Sequence, residues 1–378
     1  MKTLCLIMIV RNESKIIVRL LNSLKRIIDF ISIVDTGSTD NTKELIENWG
    51  KKHKKPTVVH STPFVNFEFN RNDSFIKGKT SFPQADYFIL SDADHEWEIS
   101  DKFNKFWLMD TGYKVLEVSE NLENPNIRII NAKNNWKCVG VTHEYWGCDE
   151  THNHKLLKYI KINDRHDGGC KTDKFQRDER LLRSGLYEEK QLNLKARYSF
   201  YLAETLKNTQ QYEEAIKMYK HCFKWKNWDG EIYCAHLSIV RCAAELVEQH
   251  MKNKVKAYEY LQMCIEHAFL AYEIDSSRTE ALWELCEVYH FLNMHEQAYN
   301  ILKKLVNIPQ PTNKLFLQIQ RYGIYVKYFL WWMVLYTGRK EEQMKLTEEI
   351  LTTKNVPEYM IANCNKYSYL CNPMIANE

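Results

Sequence analysis

The sequence predicts two domains of different class, an α/β domain over residues 1–180 and an all-helical domain over residues 181–378. The chain has 378 residues, which is more than one hydrophobic core usually organises. Short apolar runs alternate with helical segments in the first part, whereas the second part contains helical segments only. Hydrophobic residues make up 44% of the chain, a share that is typical of packed globular proteins.

The first domain is predicted from alternating strands and helices. A strand is expected over residues 3–10, "TLCLIMIV", and an amphipathic helix follows with Glu13 and Ser14 at its start, where N-capping groups belong. The strand "FISIVD" then runs into the turn "TGSTD", and the helix "NTKELIENWGKK" is expected to end near Gly50. "TVVHST" and "DYFILSD" are further strands. This order predicts a parallel sheet with its ligand chemistry at the carboxyl ends of the strands.

The second domain is predicted from pairs of small residues in successive helices. Ala203 and Ala215 lie twelve positions apart, and so do Cys286 and Ala298. This spacing is typical of tetratricopeptide repeats, in which small residues let paired helices approach closely. Residues 231–275 are expected to form a degenerate pair with a longer connection, and residues 321–351 one more pair around Gly338. An irregular helical bundle is the alternative.

Charge and cysteine content narrow the classes of partner and compartment. The formal net charge of +3 argues against a nucleic-acid partner. The 11 cysteines form no paired framework and no signal-peptide cleavage pattern precedes them, which favours reduced thiols and a cytoplasmic location. The apolar run 324–336 is shorter than the ~20 residues that span a bilayer, so no transmembrane segment is expected and this run is interpreted as a core helix.

The apolar run "FIL" is followed, after Ser91, by three acids within five residues: Asp92, Asp94 and Glu96. On an extended chain residues i and i+2 point the same way, and two carboxylates that share a space repel unless a cation joins them. Oxygen ligands suit Mn²⁺ or Mg²⁺. Glu96 is expected to cap the next helix or to orient a ligand. The alternative is a solvated turn without a metal.

A zinc site is a competing interpretation of the segment 138–170. It contains seven residues of the types that bind zinc: Cys138, His143, Cys148, His152, His154, His166 and Cys170. Structural zinc sites usually show closely spaced ligand pairs, and none is present here. The sequence therefore favours oxygen-ligand chemistry at the aspartates.

Four segments together resemble a family 2 glycosyltransferase of GT-A fold: "IMIVRNES", "IVDTGSTDNT", "NFEFNRNDS" and "FILSDADHEW". The resemblance covers about residues 1–180, and the helical half resembles the tetratricopeptide domains that follow this catalytic domain in one subgroup. It implies a Rossmann-like nucleotide-sugar-binding domain and an inverting transfer, dependent on Mn²⁺ or Mg²⁺. The donor would be a UDP-sugar, and the acceptor a hydroxyl or thiol on a peptide, glycan or lipid.

The resemblance also implies roles for individual donor-site residues. Asp35 matches the acid that contacts uracil, although Thr36 stands where many members have a second acid. Arg71 matches the position that approaches the nucleotide; its alternative is a surface pair with Asp73. Asp92 matches the acid near the ribose and the metal, and Asp94 the direct metal ligand. The first loop, which lies against the nucleoside, is matched by Arg11, Asn12 and Glu13.

Two later segments supply the candidate base and a further metal ligand. "CVGVTHEYW" contains His143 and Glu144, which resemble the His-Glu pair of the subgroup. Glu144 is the first candidate for the base that takes the acceptor's proton, with a structural carboxylate as its alternative. "INDRHDGG" places His166 after a strand, where a histidine can complete the metal site in related folds. Asp164 is the second candidate base.

Two rival functions remain. A tetratricopeptide scaffold would bind a nucleotide sugar through an inactive GT-A domain. A nucleotidyltransferase would need a glycine-rich basic loop after the first strand, which "VRNESKIIVR" lacks. The chain also contains no G-x-x-x-x-G-K-[ST] motif, which argues against a P-loop NTPase. The helical half is expected to position the acceptor or to pair two copies of the chain as a homodimer.

Overall fold

The chain divides into two compact units, Met1–Gly185 and Leu186–Glu378. The computed structural model describes residues 2–119, 122–149, 154–169, 173–225, 228–312 and 314–367. Within these ranges every strand belongs to the first unit, and the second unit is helical. The predicted fold class, an α/β domain followed by a tetratricopeptide-like helical domain, is confirmed.

The first unit is built on a mixed sheet. Its strands are β1 Leu4–Val10, β2 Phe30–Asp35, β3 Thr57–Ser61, β4 Tyr87–Leu90, β5 His95–Ile99, β6 Gly112–Ser119, β7 Leu122–Asn131, β8 Trp136–Val139, β9 Tyr145–Cys148 and β10 Lys155–Asp164. Eight strands form one sheet in the order β3-β2-β1-β4-β7-β6-β10-β5, and β8 pairs with β9 separately.

The predicted parallel arrangement is right for only part of this sheet. Strands β1 to β4 are mutually parallel, whereas β7 runs antiparallel to both β4 and β6. Only residues 120 and 121 separate β6 from β7, and so short a connection can join only antiparallel strands. Beyond β4 the sheet is therefore mixed.

Four helices begin in the first unit: α1 Ile17–Leu24, α2 Thr42–His53, α3 Phe67–Ser81 and α4 Lys174–Glu188. The predicted cap of α1 is wrong, because the helix begins at Ile17 and its N-cap, Ile16, makes no side-chain cap bond. Helix α2 continues past Gly50 to His53, and Lys54 ends it in a left-handed conformation. Cations in its last turn are favourable at a helix C-terminus.

The core of the first unit explains why β1 reads as a continuous apolar run. Leu4, Leu6 and Met8 pack on one side of the sheet together with Leu20 and Leu21 of α1. The alternate residues of β1 belong to a second cluster that includes Phe75 and Phe88. A strand covered on both faces has no polar face to alternate with, and this burial fixes the position of its carboxyl end.

The second unit consists of helices that pack in consecutive pairs. They are α5 Leu192–Asn208, α6 Tyr212–Cys222, α7 Asp229–Gln249, α8 Lys254–Ile274, α9 Glu280–Phe291, α10 His295–Leu305, α11 Ile324–Tyr336, α12 Lys340–Thr352 and α13 Glu358–Tyr367. The four small residues that predicted the repeat, Ala203, Ala215, Cys286 and Ala298, are fully buried. Gly338, with φ of +72°, lies in the turn between α11 and α12, as predicted.

One detail of the second unit differs from the prediction. Helices α7 and α8 are joined by residues 250–253 only, so the expected longer connection is wrong. The extra length lies in the helices themselves, which have 21 residues each. Helix α11 buries Val326, Leu330 and Trp331 in the core. Among the described residues, no helix combines the length and the apolarity that crossing a membrane would need.

Candidate functional site

The candidate site lies where three parallel strands end at one edge of the sheet. Strand β1 lies between β2 and β4 and is parallel to both, so the segments that follow the three strands leave from the same edge. These segments carry the predicted donor-site residues of the motifs "RNE", "DTGSTD" and "SDAD". The fold therefore brings together segments that are far apart in the sequence.

The segments after β1 and β2 hold each other in place. Asn12, which has a φ of +56°, accepts the backbone N–H of Thr39 at 2.8 Å, and its own N–H donates to Ser38 Oγ at 2.9 Å. Asp35 Oδ1 accepts the N–H groups of Gly37 and Ser38, both at 2.9 Å.

The other oxygen of Asp35 is buried where β2 ends. Asp35 is 3% exposed, and its buried Oδ2 has no hydrogen-bond partner among the described residues. Buried polar atoms are rarely left unpaired in folded proteins, so this atom points to a donor supplied by a ligand. Arg11, which directly follows β1, is exposed.

Glu13 lies under the loop that follows β10. Its carboxylate accepts the N–H of Gly169 at 2.9 Å. A Cβ on Gly169 would lie 2.1 Å from the Asn12 carbonyl oxygen, so only glycine fits this approach. Burial raises the pKa of Glu13 to about 7, since the Gly169 bond opposes this only partly and Asp94, Asp40 and Asp167 add repulsion.

Asp92 lies between two largely buried guanidinium groups. Arg71 Nη2 donates to Asp92 Oδ1 at 2.8 Å, and Arg128 Nη1 lies 3.5 Å from Asp92 Oδ2. Burial opposes ionisation of this carboxyl, but the charges of Arg71 and Arg128 outweigh it and hold the pKa of Asp92 well below its usual range. The alternative pairing of Arg71 with Asp73 is wrong, because Asp73 binds Lys77 and Thr62 instead.

Asp94, His95 and Asp164 form the one group among the described residues that has the ligand types and the closeness a metal ion requires. One ligand atom of each lies within 4.8 Å of the others. The register of β5 on β10, which pairs His95 with Asp164, accounts for two of the three. Burial, followed by the charges of Asp92 and Asp164, raises the pKa of Asp94. Two carboxylates and an imidazole that burial keeps neutral suit a divalent cation such as Mn²⁺.

His166 is close to this group but outside it. Its Nδ1 lies 3.2 Å from Asp164 Oδ1, and its backbone N–H donates to the same oxygen at 3.0 Å. The side chain is 62% exposed. His166 therefore contacts a member of the group, and its service as a metal ligand stays a prediction.

The candidate zinc ligands do not come together in the described residues. Cys138, His143, Cys148, His154 and His166 all lie outside the group that could hold a metal. His152 and Cys170 lie outside the residues that the structure describes. The nine cysteines within the described ranges are unpaired and buried.

Glu144 forms an ion pair with Arg71, whose Nε contacts Glu144 Oε1. Arg71 thereby links the candidate base to Asp92. Helix α3 holds the segment that carries Glu144 at two further points: Asn72 exchanges hydrogen bonds with the backbone of Cys138, and Glu68 accepts the N–H of Gly140 at 2.8 Å. Glu68, Arg71 and Asn72 share one face of α3 because they are three and four positions apart.

The sequence did not single out His95, Arg128 or Glu117, which all belong to the site. His95 lies beside the aspartate motif, and Arg128 lies in the apolar run "NIRIIN", where a charged residue in a buried strand was a usable signal. Arg128 is ion-paired with Glu117 as well as with Asp92. The expectation that Glu96 caps a helix is wrong, because it lies in β5 and binds Arg165 at 2.6 Å.

Residues 5–107 match the family described as Glycosyl transferase family 2. This segment contains the predicted residues from Arg11 to Asp94, whereas Glu144, Asp164 and His166 lie beyond it. No curated protein matches the sequence.

Solved structures show only a distant likeness. TarS 1–349 of S. aureus in complex with UDP is 14% identical, over 71% of this chain and 91% of that chain, with a TM-score of 0.31. A thermophilic TPR protein from Thermus thermophilus is 14% identical, over 52% of this chain and 91% of that chain, with a TM-score of 0.35.

Proposed function

We propose that this chain, a glycosyltransferase by its family 2 domain, is a metal-dependent inverting enzyme that uses a UDP-linked sugar. The observation that carries the proposal is the grouping of Asp94, His95 and Asp164 beside Asp92 at the strand ends of that domain. The acceptor would present a hydroxyl or a thiol.

The donor's nucleoside would lie across the segments after β1 and β2. The unpartnered Oδ2 of Asp35 can accept the ring N–H of uracil, which supports a uridine donor over one without that group. Asn12 shapes this surface by its bond to Thr39, and Arg11 and Glu13 flank it. Arg71 would contact the nucleotide beside Asp92. With Thr36 in place of a second acid, Asp35 alone would read the base edge.

Asp94, His95 and Asp164 would hold Mn²⁺ or Mg²⁺, with His166 as a further ligand. Burial, and then repulsion from Asp92 and Asp164, raises the pKa of Asp94, which supports this assignment because a cation relieves that repulsion. When bound, the divalent ion would offset the charge that develops on the departing diphosphate.

Glu144 is proposed as the base. In the reaction the acceptor oxygen or sulfur bonds to the anomeric carbon, the bond from that carbon to the phosphate oxygen breaks, and its electron pair leaves with UDP. The acceptor proton passes to Glu144, through Oε2 because Arg71 engages Oε1. Asp164 is the weaker candidate, because it belongs to the metal group. The alternative, a purely structural Glu144, predicts that the Gln variant keeps its turnover.

The test is the release of UDP from a panel of UDP-sugars with Mn²⁺. Asp94→Asn is expected to lower turnover by about 100-fold or more, because it removes a ligand of the charge-stabilising ion. Asp101→Asn is the matched control, since Asp101 is an exposed acid of the same unit, paired only with Arg26 among the described residues. Mn²⁺ binding, followed by electron paramagnetic resonance, should fall in the first variant alone.

The inactive-scaffold alternative has a distinct outcome in this assay. A chain that binds UDP and Mn²⁺ but releases no UDP with any donor and acceptor would be a scaffold. Full turnover by a folded Asp94→Asn protein, or turnover that survives a chelator, would remove the metal from the proposal.

The proposal extends to the binding partners and the cellular location of the chain. The acceptor is expected to be carried by a peptide, a glycan or a lipid, with no nucleic-acid partner. The helical unit would position it or pair two copies of the chain. A cytoplasmic location remains the prediction from the cysteine content.

A further inference from the structure

The helical unit contains a cavity of about 550 Å³ with aromatic walls. Helices α9, α11 and α13 and the segment around residue 321 line it, so every contributing residue belongs to the second unit. A cavity of this volume falls within the range of small-molecule sites, which is roughly 300–1,000 Å³. The glycosyl-transfer site described above uses none of these residues.

The aromatic walls are not simply the core of the unit. Trp331 of α11 is fully buried, but the next residue, Trp332, is only partly buried and lines the cavity with Tyr328 and Phe329. Tyr359 of α13 also lines it and is 55% exposed. Aromatic side chains left open to water in a concave site favour a ligand with an apolar surface of its own.

The polar side of the cavity carries an ion pair between Glu287 and Arg321; burial and then Glu284 raise the pKa of Glu287, and Arg321 opposes this shift. Arg321 Nη1 lies 3.2 Å from Glu287 Oε1, and the guanidinium lies 4.8 Å from the centre of the Trp283 ring. The adjacent Glu284 is paired with Arg241 at 2.7 Å, so two acids face two arginines. Burial, and then the nearby His295, lowers the pKa of His290 and keeps this lining residue neutral at pH 7.

This charge balance separates the candidate ligands. An ammonium group would need an uncompensated carboxylate within the aromatic walls, and a phosphate would need an uncompensated cation. A wholly apolar side chain would bury the polar edges of Glu287, Arg321 and His290 without new hydrogen bonds, which is costly. An uncharged ligand with an apolar face and several hydroxyl groups satisfies both sides.

We propose that this cavity binds an uncharged carbohydrate unit. The C–H face of the sugar ring would pack on Trp332 and Tyr359, and its hydroxyls would bond to Glu287, Arg321 and His290. This binding requires neither a nucleotide sugar nor a metal, so it stands or falls separately from the proposed transfer reaction.

The test uses the full chain with methyl glycosides of glucose, galactose, mannose and N-acetylglucosamine, followed by saturation-transfer NMR without donor or metal. At least one glycoside is expected to bind, with the strongest saturation on its ring C–H protons. Tyr359→Ala is expected to weaken binding at least about fivefold, the effect of losing one well-packed aromatic contact. Tyr187→Ala is the matched control, since Tyr187 belongs to the same unit and is 90% exposed outside the cavity.

Three outcomes would overturn the proposal. One is the absence of saturable binding by any of the glycosides at about 20 mM, well above the millimolar range of weak specific ligands. Another is binding that Tyr359→Ala and Glu287→Gln leave unchanged in folded protein. The third is binding of a neutral proline-rich peptide that depends on Tyr359 while no glycoside binds, which would assign the cavity to a peptide.

Discussion

Asp92 is the centre of a row of five alternating charges in the first unit: Glu117, Arg128, Asp92, Arg71 and Glu144. The three carboxylates are separated by two guanidiniums, so each acid has at least one cation beside it. The row runs from β6 through β7 to the segment before β9. It orients the carboxylate next to the candidate metal ligands, and it couples the candidate base to them through Arg71.

Arg128→Met should therefore destabilise the first unit strongly. Removing one partner of a largely buried ion pair leaves an uncompensated charge, and because Glu117 and Arg128 keep 12% and 15% of their side chains exposed, the expected cost is about 3 kcal/mol of unfolding free energy or less. The double variant Glu117→Gln with Arg128→Met should lose less than the single variant, because it removes the stranded acid as well. Urea unfolding of the full chain, monitored in the first unit, measures both changes.

Arg26→Met is the matched control for this pair of variants, because Arg26 forms an ion pair with the exposed Asp101. Arg26→Met should lower the unfolding free energy by less than about 1 kcal/mol, as is usual for surface ion pairs. Equal destabilisation by the single and double variants would mean that packing, and not the buried charge of Glu117, explains the loss.

A buried histidine pair should make the second unit sensitive to acid. Nδ1 of His236 on α7 lies 2.6 Å from Nδ1 of His267 on α8. Burial lowers the pKa of both histidines to about 4. The His267 ring adds to this effect at His236, and the charge of Lys220 adds to it at His267. Since the unfolded chain takes up these protons near pH 6.5, stability is fully present above that pH and is lost as the pH falls toward 4.

Each of the two histidines contributes a slope of about 1.4 kcal/mol per pH unit between these pH values. His267→Asn keeps a polar group beside His236 but removes one titrating ring, so its unfolding free energy should fall less between pH 7 and pH 5. Chemical denaturation at several pH values measures the difference. Parallel curves for the two proteins would show that this pair does not govern the acid response.

The sequence revealed the residues of the site that follow buried strands. Asp35, Asp92 and Asp94 each stand just after an apolar run, and a sheet brings such positions to one edge. The pairing of His95 with Asp164 could not be read in the same way, because it depends on the antiparallel register of β5 on β10. Local sequence does not encode a register between strands so far apart in the chain.

At the scale of elements, α3 positions the segment that carries Glu144. Its face of Glu68, Arg71 and Asn72 contacts that segment at three points, two of them on backbone atoms. The sequence predicted a nucleotide-facing Arg71 but not this supporting role, which appears only when β8 lies against the helix. Strand β7 was not predicted at all, and its antiparallel pairing with β4 is seen only in the fold.

The helix pair α9–α10 depends on a small residue at its contact. Ala298 is fully buried, and Cys286 Sγ lies 3.7 Å from its carbonyl oxygen. Ala298→Leu should lower the unfolding free energy of the second unit by about 1–3 kcal/mol, because extra methylene groups in a packed core force strain. Lys304→Leu, an exposed position of the same helix, should change it by less than about 0.5 kcal/mol.

Thermal unfolding of the full chain checks this pair of variants. If Ala298→Leu were as stable as the parent while the chain stayed helical, the contact between α9 and α10 would accommodate a larger side chain without strain. The tetratricopeptide-like packing inferred from the spacing of small residues would then have the wrong physical basis, although the helices themselves were correctly predicted.

At the scale of the molecule, each unit has a hydrophobic core of its own. One cluster gathers β1, β2 and β4 with α1 and α2, and another gathers α7 to α12. Separate cores allow separate unfolding transitions, so a ligand should stabilise only the unit that binds it.

Two separate cores also determine how UDP and Mn²⁺ should affect calorimetric unfolding. Together the two ligands should raise the unfolding temperature of the first unit and leave that of the second unit unchanged. At a ligand concentration of about 100 times Kd, the unfolding free energy of the first unit should rise by about 2.7 kcal/mol. The transitions can be assigned independently, since Ala298→Leu should lower only that of the second unit. Asp94→Asn should abolish the Mn²⁺-dependent part of the shift. A single transition that moves as a whole with UDP would show instead that the two cores unfold as one cooperative body.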